Sequence, residues 1–404
     1  MIRTVFVGWL DVEETLTLLR KEGRMKRLSL VSLIALCVIC IWVLPGIAGP
    51  TVAIVKHDDH KLVGESWSFE VTRTPKGEPP DKYWRPQWSK ESEAAIERMV
   101  RDAVRLAGGW PVKSGDVVAV VPNLVISPFG CVLQGRTKPE LLQCGVTDVR
   151  VARAVAMLAK ESGAKKVYFA TQPMAASGVS AMKAWGYWDV GKELGVELVA
   201  LDSAPWKYYK PAHAPLALKE YAIPKIMVEE ANKVISVPAM KTHCLAGYTG
   251  ALKNIGIGVP TGQVYGSIRY GLPHEKLAKV IVDVCSIVKI NYSVVSGIWA
   301  QDGNGPLAGD PVAMDLVIAG ADPVAVDTVM VDCMGQKAHI YGQIRLAEEA
   351  KLGTSKGITV TGRKVHEVEK QFVGVPPDKR AAASWGEVIG WPGKGVTLTG
   401  SYAK

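Results

Sequence analysis

From residue 51 onward, short apolar runs alternate with stretches in which apolar residues recur every three or four positions. Thr51–Lys56 (TVAIVK) reads as a first strand, followed by a polar loop rich in Trp, Pro and Lys. Ile96, Met99, Val100, Ala103, Val104 and Ala107 share one helical face, which Gly108-Gly109 ends. Val117–Val121 predicts a buried strand. Thr147 then caps a helix faced by Val151, Ala154, Val155 and Leu158 and closed by Gly163. Val167–Ala170 reads as a strand, Ala181–Leu194 as a helix and Val196–Leu201 as extended. Lys233–Val237 (KVISV), Tyr292–Ile298 and Leu316–Ala319 predict further strands. Leu277, Val280, Ile281, Val284 and Val288 mark a helix, as does Asp322–Met334. Strands separated by helices imply an α/β fold, a largely parallel sheet with helices on both faces. Two lobes with a crossover near Pro205–Pro224 are compatible with this pattern. The organisation expected is a targeting segment over 1–48, an α/β domain over 49–340 and a C-terminal extension over 341–404.

The first segment follows different rules. Met25-Lys26-Arg27 precedes the apolar run Leu28–Leu44, and Pro45-Gly46-Ile47-Ala48-Gly49 supplies small residues at a cleavage position. A signal peptide and an exported protein, periplasmic or extracellular, are expected. The alternative is an uncleaved N-terminal membrane anchor, because the run is near the lower limit for spanning. Met25 is a candidate true start.

The net charge of +9 is spread along the chain without a basic block, so the clustered stripe of a nucleic-acid binder is missing. Membrane contact is expected only through the N-terminal segment. Of the seven cysteines, Cys37 and Cys40 lie in the apolar run. Cys131 and Cys144 bracket a polar excursion that an exported protein would bridge. No clustered cysteines suit an iron–sulfur centre. A P-loop, a dinucleotide fingerprint and a nucleophile elbow are also missing from the sequence.

The most informative stretch is Ser236–Pro260, SVPAMKTHCLAGYTGALKNIGIGVP. A buried run stops at Pro238 and opens into a polar, glycine-rich loop bearing Lys241, Thr242, His243, Tyr248, Thr249, Lys253 and Asn254. Open α/β sheets place ligands at such strand ends. His243 is the acid/base candidate. Lys253 and Lys241 suit an anion, and Lys253 also suits a nucleophile. Thr249 and Asn254 would orient the ligand, and a helix N-terminus after Gly250 would add N–H donors. Asn123, after a strand and Pro122, is a further ligand contact. Asp302, in Asp302-Gly303-Asn304-Gly305-Pro306, would bind a cation or orient His243, or form a tight turn. Asp322 suits a helix cap, with Asp327 a helix-start residue facing the site. His57-Asp58-Asp59-His60 has metal-friendly residues without defined geometry.

Lys-Thr-His followed by Thr-Gly-Ala-Leu-Lys-Asn resembles the signature of the uncharacterised family catalogued as domain of unknown function 362. Val117–Leu124, Thr147-Asp148, Asp302–Gly309 and Gly320–Asp327 agree with it. Members usually carry a lysine before the Pro-Asn pair, where this chain has Val121. A more distant resemblance joins His243-x-x-Ala246-Gly247-Tyr248-Thr249-Gly250-x-x-Lys253 to nickel-pincer lactate racemases. There the histidine is an acid/base group and the lysine holds the cofactor, so a transition metal, nickel, is implied. The second racemase histidine falls at Met174, which cannot move protons, and His274 is the nearest counterpart of the nickel ligand. The expectation is an enzyme acting on a small anionic substrate through His243 and Lys253, the alternative a non-catalytic binder of a small molecule or cofactor.

Overall fold

Alternation within each strand sets the architecture. In Val117–Pro122, Val118 and Val120 enter one apolar core while Ala119 and Val121 enter another. The same division holds for Val167 and Phe169 against Tyr168 and Ala170, and for Val317 and Ala319 against Leu316 and Ile318. Successive residues of a strand face opposite sides, so strands apolar at every position must be covered on both. The computed structural model describes residues 49–65, 67–69, 86–127, 138–174 and 177–374. All lie within the unit Gly49–Lys404.

Ten strands form the central sheet: β1 Thr51–Lys56, β2 Val117–Pro122, β3 Lys166–Thr171, β4 Glu197–Ala200, β5 Lys233–Val237, β6 Ala239–His243, β7 Gly247–Thr249, β8 Tyr292–Asn304, β9 Ala308–Gly320 and β10 Thr359–Gly362. The order is β10-β1-β9-β8-β5-β2-β3-β4, with β6 pairing β7 and β8 off that path. Neighbours from β8 to β4 are parallel; β9 runs antiparallel to both β1 and β8. Helices α1 Lys90–Ala107, α2 Val149–Glu161, α3 Gly178–Ala184 and α4 Tyr187–Leu194 cover one face. The other carries α5 Ala251–Gly258, α6 Leu277–Ile287, α7 Pro323–Cys333 and α8 Gly342–Glu349. The α/β fold with a mostly parallel sheet is thus as the periodicity predicts.

After β2 the chain steps outward through β3 to β4. It then returns past a small hairpin, Trp206–Tyr209 with Tyr221–Pro224, to lay β5 on the other side of β2. The strand order reverses between β2 and β5. Their carboxyl ends therefore border the crevice where an open α/β sheet takes its ligands.

Several local expectations are corrected. Asp148, not Thr147, caps α2, its carboxylate accepting from Arg150 N. Thr147 instead links strands: its hydroxyl donates to the Val237 carbonyl at 2.5 Å and accepts from Asn123 N at 2.8 Å. The helix predicted over Ala181–Leu194 breaks into α3 and α4 at Gly186, whose φ is +85°. The short strand at Leu316–Ala319 is the end of β9, which pairs with β8 from Asn304↔Ala308 to Ser293↔Gly320. Residues 341–374, read as the start of an extension, contribute α8 and the edge strand β10.

The expected targeting segment, 1–48, and the C-terminal stretch 375–404 lie outside the described residues, as does Cys131; its expected partner Cys144 is buried. Among the described residues no helix is long and apolar enough to cross a membrane.

Candidate functional site

The stretch after Pro238 is a buried hairpin leading into a helix, where the sequence predicts a loop. Every residue of β6 and β7 is buried, with Lys241↔Thr249, Thr242↔Tyr248 and His243↔Gly247 in register. β6 also lies parallel to β8, placing Lys241 opposite Gln301. Two glycines make this packing feasible. A Cβ on Gly247, whose φ is +81°, would lie 2.3 Å from the Tyr341 ring, and one on Gly250 would lie 2.4 Å from an Asp327 oxygen.

Asp327 overturns one expectation. The sequence predicts that the N-terminus of α5 offers its N–H groups to a ligand anion. Asp327, reaching across from α7, takes Ala251 N at 2.5 Å and Leu252 N at 3.1 Å, and accepts the Tyr248 hydroxyl at 3.0 Å. The chain fills that anion position itself. Burial pushes the Asp327 carboxyl up to about 7, against these three donors. Asp322 caps α7, accepting from Val324 N and Ala325 N at 2.9 and 3.0 Å.

Asn254, on the first turn of α5, ties the helix to the sheet. Its Nδ2 donates to the Val121 carbonyl at 2.8 Å and to Ser236 Oγ at 3.2 Å, and its Oδ1 accepts from Asn123 Nδ2 at 3.1 Å. Asn123 and Asn254 thus meet at the carboxyl ends of β2 and β5, where the strand order reverses.

Lys253, the residue before, is 7% exposed, and among the described residues no hydrogen-bond or ion-pair partner meets its ammonium. Burial pushes its pKa down to about 8; the neighbouring Cys244 opposes the shift and the charge on Arg269 adds to it. His243 is also buried. Its Nδ1 accepts from Leu245 N at 3.0 Å and Ala246 N at 3.2 Å, which leaves the hydrogen on Nε2. Burial, reinforced by Lys253, Lys241 and His274, drives its pKa well below the ordinary range. The ring is a neutral imidazole presenting a donor. Lys241 is fully buried and donates to the Gly145 carbonyl. Thr249, opposite it, is fully buried with its hydroxyl unmatched by any described residue.

The other wall is built by residues that motif reading missed. Arg269, with φ +58° in the glycine-bracketed Gly266–Gly271, is buried and donates to the carbonyls of Pro173 (2.8 Å), Gln172 (3.0 Å) and Ser267. Burial lowers its pKa to about 10. Gln172 spans the gap between β3 and the α5 exit, donating to Pro260 O at 2.7 Å and accepting from Gly262 N at 3.0 Å. The bracketing glycines were the available signal for Arg269. Nothing in the sequence marks Gln172.

Asp302 stands apart from this group. Its carboxylate accepts from Gly303 N, Val373 N and Gly374 N at 2.6–2.9 Å, fastening residues 373–374 to the end of β8. His274 does approach His243 and Lys253 electrostatically, and its Nδ1 bonds the Leu272 carbonyl at 2.8 Å. In the His57–His60 segment, His60 Nδ1 lies 2.7 Å from Asp315 Oδ1. Among the described residues no group of three or more His, Cys, Asp or Glu is placed to hold a metal ion.

A 225-residue stretch is 27% identical to the thylakoid-associated protein sll1697 of Synechocystis sp., covering 55% of this chain and 64% of that relative's length. A Thermotoga maritima protein of known crystal structure aligns with 64% of this chain and 59% of its own, at 14% identity and a TM-score of 0.33. The family described as Domain of unknown function (DUF362) matches residues 118–332, from β2 through α7 and so across the whole switch-point edge. The chain belongs to that family.

Proposed function

We propose that the chain binds a small anionic molecule at the crevice between β2 and β5 and activates it for reaction. The observation that carries this reading is Lys253, a residue only 7% exposed whose ammonium has no hydrogen-bond or ion-pair partner among the described residues. Arg269, His243 and His274 act on it or feel its charge, and none of the described carboxylates pairs with it. An uncompensated charge at such a depth is costly, and a bound anion would remove the cost. The same cluster of donors and cations, with no carboxylate among them, fits a divalent metal ion such as nickel poorly.

In this reading Lys253 neutralises the anion and His243 donates from Nε2 to an oxygen on which charge develops, which a neutral imidazole can do. Thr249 and Lys241 complete the donor wall, and Asn254 holds the two strand ends apart at fixed spacing. A non-catalytic binder is the second reading. It is favoured by His243 itself, whose Nδ1 is occupied by two N–H groups and offers no lone pair to a substrate proton.

Calorimetric titration with phosphate and small carboxylates tests the anion site. Binding by the wild type that is lost in Lys253→Met is expected; equal heats in both proteins would sink it. If His243→Phe loses turnover yet retains anion affinity, the enzyme stands. Failure to find turnover with any anion that binds leaves the binder. Export remains part of the proposal, supported by the basic-then-apolar run over 25–48. A mature N-terminus at Gly49, read by sequencing the purified protein, is the expected result.

A further inference from the structure

The direction in which the Asn123 amide points is dictated by its neighbours. Asn254 spends both Nδ2 hydrogens on the Val121 carbonyl and Ser236 Oγ, so the face it turns to Asn123 is an oxygen. Asn123 must answer with Nδ2, since the reverse orientation would set two oxygens against each other. The Asn123 backbone is held as firmly: its N donates to Thr147 Oγ1 at 2.8 Å and its carbonyl accepts from Thr147 N at 2.9 Å. Asn123 Oδ1 therefore points away from Asn254. It is buried, and no described donor meets it.

That oxygen is the odd group at this edge. Lys253, Nε2 of His243 and the Thr249 hydroxyl can all donate, and an anion would answer them. An anion alone leaves Asn123 Oδ1 unmet, and a buried acceptor without a donor is costly. Contacts connect the two parts of the edge. Thr171 Oγ1 donates to the Pro122 carbonyl at 2.9 Å, Arg269 grips the next residue, Gln172, and Arg269 acts electrostatically on Lys253.

We infer that the ligand is a hydroxylated anion, whose hydroxyl donates to Asn123 Oδ1 while its charged group faces Lys253. An amine could also donate, but it would add a positive charge to a site already crowded with them. The inference rests on the anion-site reading and narrows it: Asn123 determines specificity, whereas Lys253 supplies affinity.

Matched anions with and without a hydroxyl on the neighbouring carbon provide the test: glycolate against acetate, and glycerol 3-phosphate against propyl phosphate. With the full chain in a calorimeter, the hydroxylated member of at least one pair should bind about tenfold tighter or more. In Asn123→Ala that preference should fall below about threefold, because the acceptor is gone. The wild-type ratio reads the inference even if the variant does not fold. A ratio near one in every pair that binds would overturn it, as would a preference that survives Asn123→Ala. Equal binding within pairs removes the hydroxyl and leaves the anion site standing; no binding by any of the four removes both.

Discussion

Two regions of this molecule bury positive charge, and they treat it in opposite ways. Beneath α1 and α2, Arg150 is fully enclosed and every arm of its guanidinium is occupied. Nε and Nη2 take the two Asp148 oxygens at 3.0 and 2.6 Å, Nη1 takes Ser92 Oγ, and Nη2 also takes the Val63 carbonyl. Arg153, one turn on, is shared among Glu193, Glu97 and Glu93 at 2.6–3.7 Å. At the switch-point edge, Lys253 has comparable depth and no such partner. A cation matched by its own chain fastens helices together; a cation left unmatched awaits something the chain does not supply.

The largest expected effect breaks the matched side. Arg150→Ala strands the Asp148 carboxylate and should cost about 3–5 kcal/mol in a urea-melt measurement. Lys253→Met should act with the opposite sign. Its pKa is displaced from 10.5 to about 8, so removing the charge should stabilise the ligand-free protein by on the order of 3 kcal/mol near neutrality. A destabilised Lys253→Met would mean that the ammonium is paired after all.

The pH dependence sharpens the same contrast. Below pH 8 both folded and unfolded chains carry the Lys253 charge, and the folded chain bears the whole cost of burial. Between about 8 and 10.5 the folded amine loses its proton first, so this residue's contribution to stability rises with pH. Thermal melts of the wild type minus those of Lys253→Met should show that rise, while affinity for a fixed-charge anion falls above about pH 8. An affinity that instead climbs through this window would mean that the Lys253 ammonium does not hold the anion. The smallest effect belongs to Tyr248→Phe, which removes one bond to Asp327 and should cost about 1 kcal/mol with little change in anion preference.

The fold was legible wherever periodicity alone decides it. The strands Thr51–Lys56, Val117–Val121 and Lys233–Val237 and the helical face from Ile96 to Ala107 are where their apolar spacing puts them. Reading failed where partners distant in sequence intervene. Residues 239–249 are rich in polar groups, as a loop would be, yet β6 pairs with β8 and β7 pairs with β6, which makes 239–243 and 247–249 buried strands. The site followed the same division. Lys253, His243 and Asn254 sit close to one edge because a glycine-rich motif at a strand end is a local signal, and Asn123 meets them from the end of β2 through its bond to Asn254. Asp327 could be seen only as part of its own helix, since the N-terminus it caps begins 76 residues earlier in the chain. Arg269 is similar: its partners Gln172 and Pro173 are almost a hundred residues away.

The arrangement of the sheet has a consequence for what counts as a unit of this protein. The stretch shared with the family, residues 118–332, ends on one side at β9, and the strands that cover β9 come from outside it. β1 pairs with β9 from Val52↔Gly320 to Lys56↔Leu316, and β10 closes on β1. A chain trimmed to the shared stretch would lose both strands and α1, exposing a row of unpaired backbone groups beside a bare apolar face, the combination that invites strand-to-strand aggregation. The segment that the family model matches is therefore shorter than the sheet it belongs to.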